Sequence, residues 1–311
     1  MVPSARTGIA FALTCLMILG AMPILSNARP AGSDGLTFAF WLTVWQLVAA
    51  VPLFLMERRN GGKAAQEPTA KGRAIAIMVF TGALFGLSTW MYVVAAERAG
   101  AVNMVIALQA YPLFAMGLEA AFLKKRKSAA EIGFTVLMIA AIAYLTTGGT
   151  MRLSGISWWS LFALGIPMIW AVAHVMLRQV LISTPVTPNQ VTVSRLAISG
   201  VFLALLLAIT SGPGALSATA TDFAFQKAAI IMGVAYYAEL ILWFHAVRHI
   251  DVSLASSITV PAPAVTMLIA VTLLGGAIET YQIVALTVVV VAMYGLLLAG
   301  KRAERRLAAQ A

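Results

Sequence analysis

The chain has 311 residues, 61 % of them hydrophobic and only 10 % charged, with a mean hydropathy of +0.92. A soluble domain of this length carries far more charge, so composition excludes that class and places the chain among polytopic membrane proteins. The net charge of +10 does not indicate a nucleic-acid partner, because the basic residues lie in the gaps between apolar runs and there they report membrane topology.

A spanning helix needs roughly 20 mostly apolar residues. Ten stretches qualify: 7–25, 37–56, 74–96, 101–123, 129–147, 157–182, 189–210, 227–247, 252–274 and 280–300. The first follows Arg6 and precedes Ser26-Asn27-Ala28, a pattern that also fits a signal peptide; the run from Gly8 to Leu25 is longer than a usual signal core, so it reads as a retained helix. Cys15, the single cysteine, lies inside it, which leaves no disulfide or cysteine-based metal site to propose. The connections are short except 57–73, rich in Gly, Lys and Glu, and 211–226, rich in Gly, Ser, Ala and Thr and expected to be mobile.

The basic residues separate by side. One side collects Arg6, Arg58, Arg59, Lys63, Lys71, Arg73, Lys124, Lys125, Arg126, Lys127, Arg178, Arg248 and the tail Lys301, Arg302, Arg305 and Arg306. The other holds Arg29, Arg98, Arg152 and Lys227, and Arg195 lies within a helix. This bias predicts that both termini are cytoplasmic, as an even number of spans also requires.

Two stretches share their punctuation at an offset of 151, from Gly82 to Gly233. Tyr92 falls on Trp243, Ala95 on Ala246, the Glu97-Arg98 turn on Arg248-His249, and Pro112 on Pro263. The chain therefore divides into two five-helix halves, 1–150 and 151–311. Five is odd, so the second half enters from the opposite side, and an inverted repeat of this kind is the pattern of transporters.

Pro112 and Pro263 stand inside the fourth and ninth predicted helices, where each removes a backbone hydrogen bond and crowds the carbonyl four residues back. A kink or local opening is expected at both, either as a hinge beside a transport site or as an ordinary packing kink. Asn103 and Gln109 lie near the first break, and Ser253, Ser256, Ser257 and Thr259 near the second. These polar groups read either as ligand contacts or as helix-packing residues. Pro167, Trp170, His174 and Arg178 share one face of the sixth helix; Tyr236, Glu239 and Trp243 share one of the eighth, and Phe85, Ser88 and Tyr92 one of the third. Such mixed aromatic and polar faces suit a cavity for an amphipathic ligand. An aromatic belt is the alternative, and it accounts for Trp41, Trp158 and Trp159 near helix ends.

Ionisable residues within the hydrocarbon are functional candidates by default. Glu239 and His174 are mid-helix. Glu119 is near enough to Lys124–Lys127 to pair with that cluster, and Arg195 near enough to a helix end to snorkel, so both read as structural. Gly82-x-x-x-Gly86 is a close-packing motif without a ligand role.

On these residues the chain resembles the ten-helix, two-repeat members of the drug/metabolite transporter superfamily, of the EamA type. The likeness rests on aromatic-x-x-Ala at Tyr92–Ala95 and Trp243–Ala246, the short turn into a small-residue helix, Pro112 and Pro263, and the segment from Trp170-Ala to Leu-Arg178. The family's arginine early in the second helix of a repeat is matched by Arg195 in one half and by Gln46 in the other. The acidic residue usual after the fourth and ninth helices is replaced by the Lys124–Arg126 region and by Gly275-Gly276, which leaves its role open here. The resemblance implies an exporter of amino acids and related metabolites through a central cavity that opens alternately to each side. The aromatic faces are similar to the aromatic amino-acid exporter branch.

The expectation is an all-α polytopic membrane protein of two inverted five-helix repeats, not an enzyme, in the inner membrane of a bacterium. Its partners are a small-molecule substrate and the lipid bilayer, it is read as a monomer, and no catalytic residue, cofactor or metal is called for. Expected substrate-binding residues are Trp170, His174, Tyr111, Gln109, Tyr92, Tyr236, Trp243, Ser256 and Thr259, with Glu239 as proton-coupling group or charge partner and Pro112 and Pro263 as hinges. A channel or a facilitative carrier for another small metabolite or drug remains the alternative. A membrane enzyme would need a catalytic constellation, and its nearest candidate, His245 with Asp251, lacks a nucleophile or metal partner.

Overall fold

The computed structural model describes residues 4–26, 30, 33–61, 71–99, 101–153, 157–212, 214–273 and 278–310. Asn27, Ala28, Lys63 and Gly275-Gly276 lie outside these. Among the described residues the regular structure is helical throughout: α1 (Ala5–Ser26), α2 (Gly35–Gly61), α3 (Lys71–Arg98), α4 (Ala101–Leu108), α5 (Tyr111–Leu123), α6 (Ala129–Thr146), α7 (Trp158–Ser183), α8 (Pro188–Thr210), α9 (Gly214–Ala220), α10 (Phe223–His249), α11 (Val252–Thr259), α12 (Ala262–Leu273) and α13 (Thr280–Gln310). Ten spans are long and apolar enough to cross a membrane, α4 with α5 and α11 with α12 each making up one of them.

Four boundaries differ most from the sequence expectation, the first being that of α2, which runs on to Gly61 instead of stopping near 56. The 211–226 connection contains the helix α9. The last helix runs to Gln310 instead of stopping near 300, because its Ala, Glu, Arg and Leu tail favours helix and no proline or glycine follows Gly300 to end it. Helix α10 begins at Phe223, where the Asp222 side chain accepts from the Phe225 N–H and caps the first turn.

The spans are apolar around their whole circumference, as membrane helices must be. Exposed Leu53, Leu55, Val201, Leu205, Val290 and Val291 face outward, where acyl chains solvate them, while Phe85, Phe244, Ile166 and Leu203 fill the interior. Contacts between helices follow the repeat. Helix α2 packs on its counterpart α8 and α6 on α13; α4 and α5 pack on α7 as α11 and α12 pack on α1; α3 packs on α7 and α8, and its counterpart α10 packs on α1 and α2. An exchange of the two halves maps these contacts onto themselves, which is the pairing expected of an inverted repeat.

The two ends of the bundle separate the loops as the basic residues do. At one end the Ser4 N–H donates to His249 Nδ1 at 3.1 Å, Thr187 Oγ1 donates to Glu57 at 2.9 Å, and Lys125 and Lys127 meet Asp251. At the other, Trp41 Nε1 donates to Thr219 at 3.0 Å, Trp45 Nε1 to Gln226 at 2.7 Å, and Arg98 lies 5.7 Å from the Trp159 ring.

Close approach of α10 to α2 depends on Gly233, the repeat mate of Gly82. A Cβ there would sit 2.7 Å from Trp45 Cβ and 3.1 Å from the Leu42 carbonyl oxygen. The backbone oxygen cannot swing aside, so Gly233→Ala should cost about 1–3 kcal/mol through overpacking, read as a lower thermal midpoint in detergent. An unchanged midpoint would show that α10 and α2 are free to separate.

Candidate functional site

The site begins at two broken helices. Helix α4 ends at Leu108 and α5 starts at Tyr111; α11 ends at Thr259 and α12 starts at Ala262. Pro112 has no N–H for the Leu108 carbonyl and Pro263 none for that of Thr259, so both ladders fail in the same register. At the first break the chain tightens into three-residue turns, with the Gln109 N–H on the Ile106 carbonyl at 3.2 Å and Ala110 on Ala107 at 3.1 Å. Gln109 is half-buried in the break itself.

Tyr111, the first residue of α5, is carried by this break into an aromatic cluster drawn from both halves. Its hydroxyl hydrogen-bonds His174 Nδ1 at 2.7 Å. Its ring lies 6.1 Å from Trp170, edge-on, and 5.9 Å from Trp243. His174 is 5.2 Å from Trp243, 4.8 Å from Phe85 and 5.8 Å from Phe244. Trp170 is held by donating Nε1 to Ser88 Oγ at 3.0 Å. Four helices meet here: α3 and α5 from the first half, α7 and α10 from the second. Among the described residues the buried atoms His174 Nε2 and Trp243 Nε1 have no hydrogen-bond partner, an unusual condition for interior polar groups.

Arg195, expected to snorkel, does not. Its guanidinium lies 3.7 Å from the centre of the Phe85 ring and 6.0 Å from that of Phe244, at the edge of the same cluster, because α8 packs directly on α3. It lies near Glu239, Tyr111 and His174. Glu239 in turn lies near Tyr111 and Tyr236, and Tyr236 near Tyr92. Among the described residues neither Arg195 nor Glu239 makes a hydrogen bond or ion pair through its side chain. Tyr236, Glu239 and Arg195 are partly buried and Tyr92 is exposed. All four retain accessible surface, 39 % for Tyr92.

The remaining expected residues are placed differently. Ser256 is buried, but its hydroxyl donates to the Val252 and Ser253 carbonyls of its own helix, and Thr259 donates to the Ser256 carbonyl at 2.9 Å. Their protons are thus committed to the backbone. Glu119 does not pair with the lysine cluster. It is completely buried, and accepts from the Ser253 N–H at 3.3 Å and from the Ser253 hydroxyl, tying α5 to α11. His245 and Asp251 do not meet: the His245 ring packs at a tilt against Phe11, 5.3 Å away.

Sequence reasoning missed what Asp251 does. Its carboxylate receives Lys125 at 2.9 Å, Lys127 at 3.0 Å and Arg178 at 2.9 Å, while Arg178 Nε donates to the Ile250 carbonyl at 2.9 Å. Burial alone pushes this carboxyl up, but Lys127, Arg178 and Lys125 outweigh it and hold it at about 2, below the usual 3.8. The available signal was a lone acid in a two-residue turn facing a basic loop. Its repeat position in the first half is Gly100, so the cluster has no mate there.

Comparison with known proteins places these features in a family context. The sequence pattern of the EamA-like transporter family matches residues 6–147 and again residues 157–298. Each match takes in five of the ten spans. A search of curated proteins finds no significant match. One solved crystal structure is similar over 95 % of this chain and 99 % of its own, with a TM-score of 0.76 and 17 % identity, a likeness of fold alone.

Proposed function

The chain belongs to the EamA-like transporter family, and from that premise we propose that it exports amino acids with aromatic or other apolar side chains by alternating access. The observation that carries this reading is the cluster of Tyr111, Trp170, His174 and Trp243 at the junction of the two halves, with Tyr236 and Glu239 on the same helix as Trp243 and partly accessible. Aromatic rings offer an apolar side chain large faces at little entropic cost. The matched breaks at Pro112 and Pro263 supply the two places where a half can bend. In this reading 1–150 and 151–311 rock against each other, and the end carrying Lys125, Lys127 and Arg178 faces the cytoplasm of a bacterial cell.

Proteoliposomes loaded with radiolabelled amino acids, with and without a pH gradient, test the function. Saturable efflux of phenylalanine, tyrosine, tryptophan or leucine is expected. Rates equal to those of protein-free liposomes across the panel would sink the amino-acid reading, and a flux that rises linearly with substrate would make the protein a channel. Orientation has its own check. A reporter active only in the cytoplasm should be active when fused at Ala311 and silent when inserted at Gly212, and the reverse result would invert the topology.

A further inference from the structure

Arg195 and Glu239 are a basic and an acidic residue inside the membrane spans, both beside the aromatic cluster. Charged side chains at that depth are costly unless paired, yet neither is closed by a hydrogen bond or ion pair among the described residues. Arg195 is not free to leave. Its guanidinium lies 3.7 Å above the Phe85 ring, and Phe85 also contacts His174 of the aromatic cluster. A ring under one face of a guanidinium leaves its in-plane N–H fork open, and that fork matches a carboxylate. Glu239 approaches the same cluster from α10, one turn before Trp243, within electrostatic range of both Arg195 and Tyr111.

We propose that Arg195 and Glu239 form a dipolar docking site for a zwitterion, with Arg195 taking the substrate carboxylate, Glu239 its ammonium group, and the Tyr111–Trp170–Trp243 cluster its side chain. The proposal rests on the amino-acid reading above and specifies which end of the molecule each charge holds. With Glu239 ionised, the site and a zwitterion are each net neutral, so binding completes two ion pairs without moving net charge into the bilayer. An amine or an acid alone leaves one buried charge without a partner, and that omission is penalised more heavily than a missing apolar contact.

The test is binding to the purified full-length protein in detergent, using L-phenylalanine, its decarboxylated amine (phenethylamine) and its deaminated acid (3-phenylpropionate), with L-tyrosine and L-tryptophan alongside. Wild type should bind at least one of the three amino acids and, for phenylalanine, prefer it over each analogue by about tenfold or more. Arg195→Gln should erase the preference over the amine but keep that over the acid; Glu239→Gln should do the opposite. Arg195→Lys, which keeps the charge but loses the fork, should fold and show a reduced preference over the amine. The wild-type comparison needs no variant to fold: equal binding of phenylalanine and both analogues overturns the dipolar site while leaving the amino-acid reading intact. Absence of binding for all three amino acids removes that reading, and the site with it. Equal loss of preference over both analogues in Arg195→Gln overturns the assignment of Arg195 to the carboxylate.

Discussion

Asp251→Asn should lower the stability of the protein by about 3 kcal/mol near neutral pH. The substitution keeps the shape of the side chain but removes the charge that Lys127 and Arg178 were brought together to meet, leaving two largely buried cations with 13 % and 8 % of their side chains exposed. Lys125 is 46 % exposed and contributes little, since water already screens it. The effect has a pH signature. The Asp251 pKa is depressed from 3.8 to about 2 on folding, so its contribution is fully present above about pH 4 and is lost as the pH falls through that window toward 2. Thermal unfolding of wild type and variant in detergent should therefore differ most at pH 5 to 7 and converge as the pH approaches 2. A gap that stays constant down to pH 2.5 would show that the carboxylate is not held by the cations.

How much of this was legible in the sequence depended on whether the controlling physics was local. Apolar run length fixed the ten spans, because a helix in lipid must satisfy its own backbone. Pro112 and Pro263 marked both breaks, since the missing N–H acts on a carbonyl only four residues away. Gly82 and Gly86 announced a close approach, and α8 supplies it, with Ser199 donating to the Gly82 carbonyl at 2.9 Å. What failed was pairing between distant residues. Glu119 was assigned to lysines five to eight positions away, whereas its partner is Ser253, 134 positions on. Arg195 looked peripheral when its depth was counted along one helix, but the crossing of α8 on α3 places its head over Phe85. Nothing in the local sequence encodes either contact. The boundary errors have a milder origin: Gly214–Ala220 and the tail after Gly300 are polar enough to look like loop, yet alanine-rich enough to continue as helix.

Tyr111→Ala and Trp243→Ala should each reduce transport to near background, and in the same preparations cost about 3–5 kcal/mol of stability. Both rings are under a tenth exposed and each touches His174, so truncation opens a cavity where the two halves meet. Because instability alone could mimic loss of transport, the conservative pair decides. Tyr111→Phe keeps the ring but leaves His174 Nδ1 without its 2.7 Å partner, in a residue whose Nε2 is already unpartnered, and should cost about 1–3 kcal/mol. Trp243→Phe removes an indole N–H that has no partner, so its smaller ring should be offset in part by the loss of that unpaired donor. Trp243→Phe is therefore expected to fold with a midpoint close to wild type and to transport measurably, while Trp243→Ala does not. If the phenylalanine variant is as inactive as the alanine variant although folded, then the indole N–H, and not the ring face, is what the substrate requires. If both variants transport at the wild-type rate, the cluster only packs the interface, and the cavity that binds substrate lies away from it.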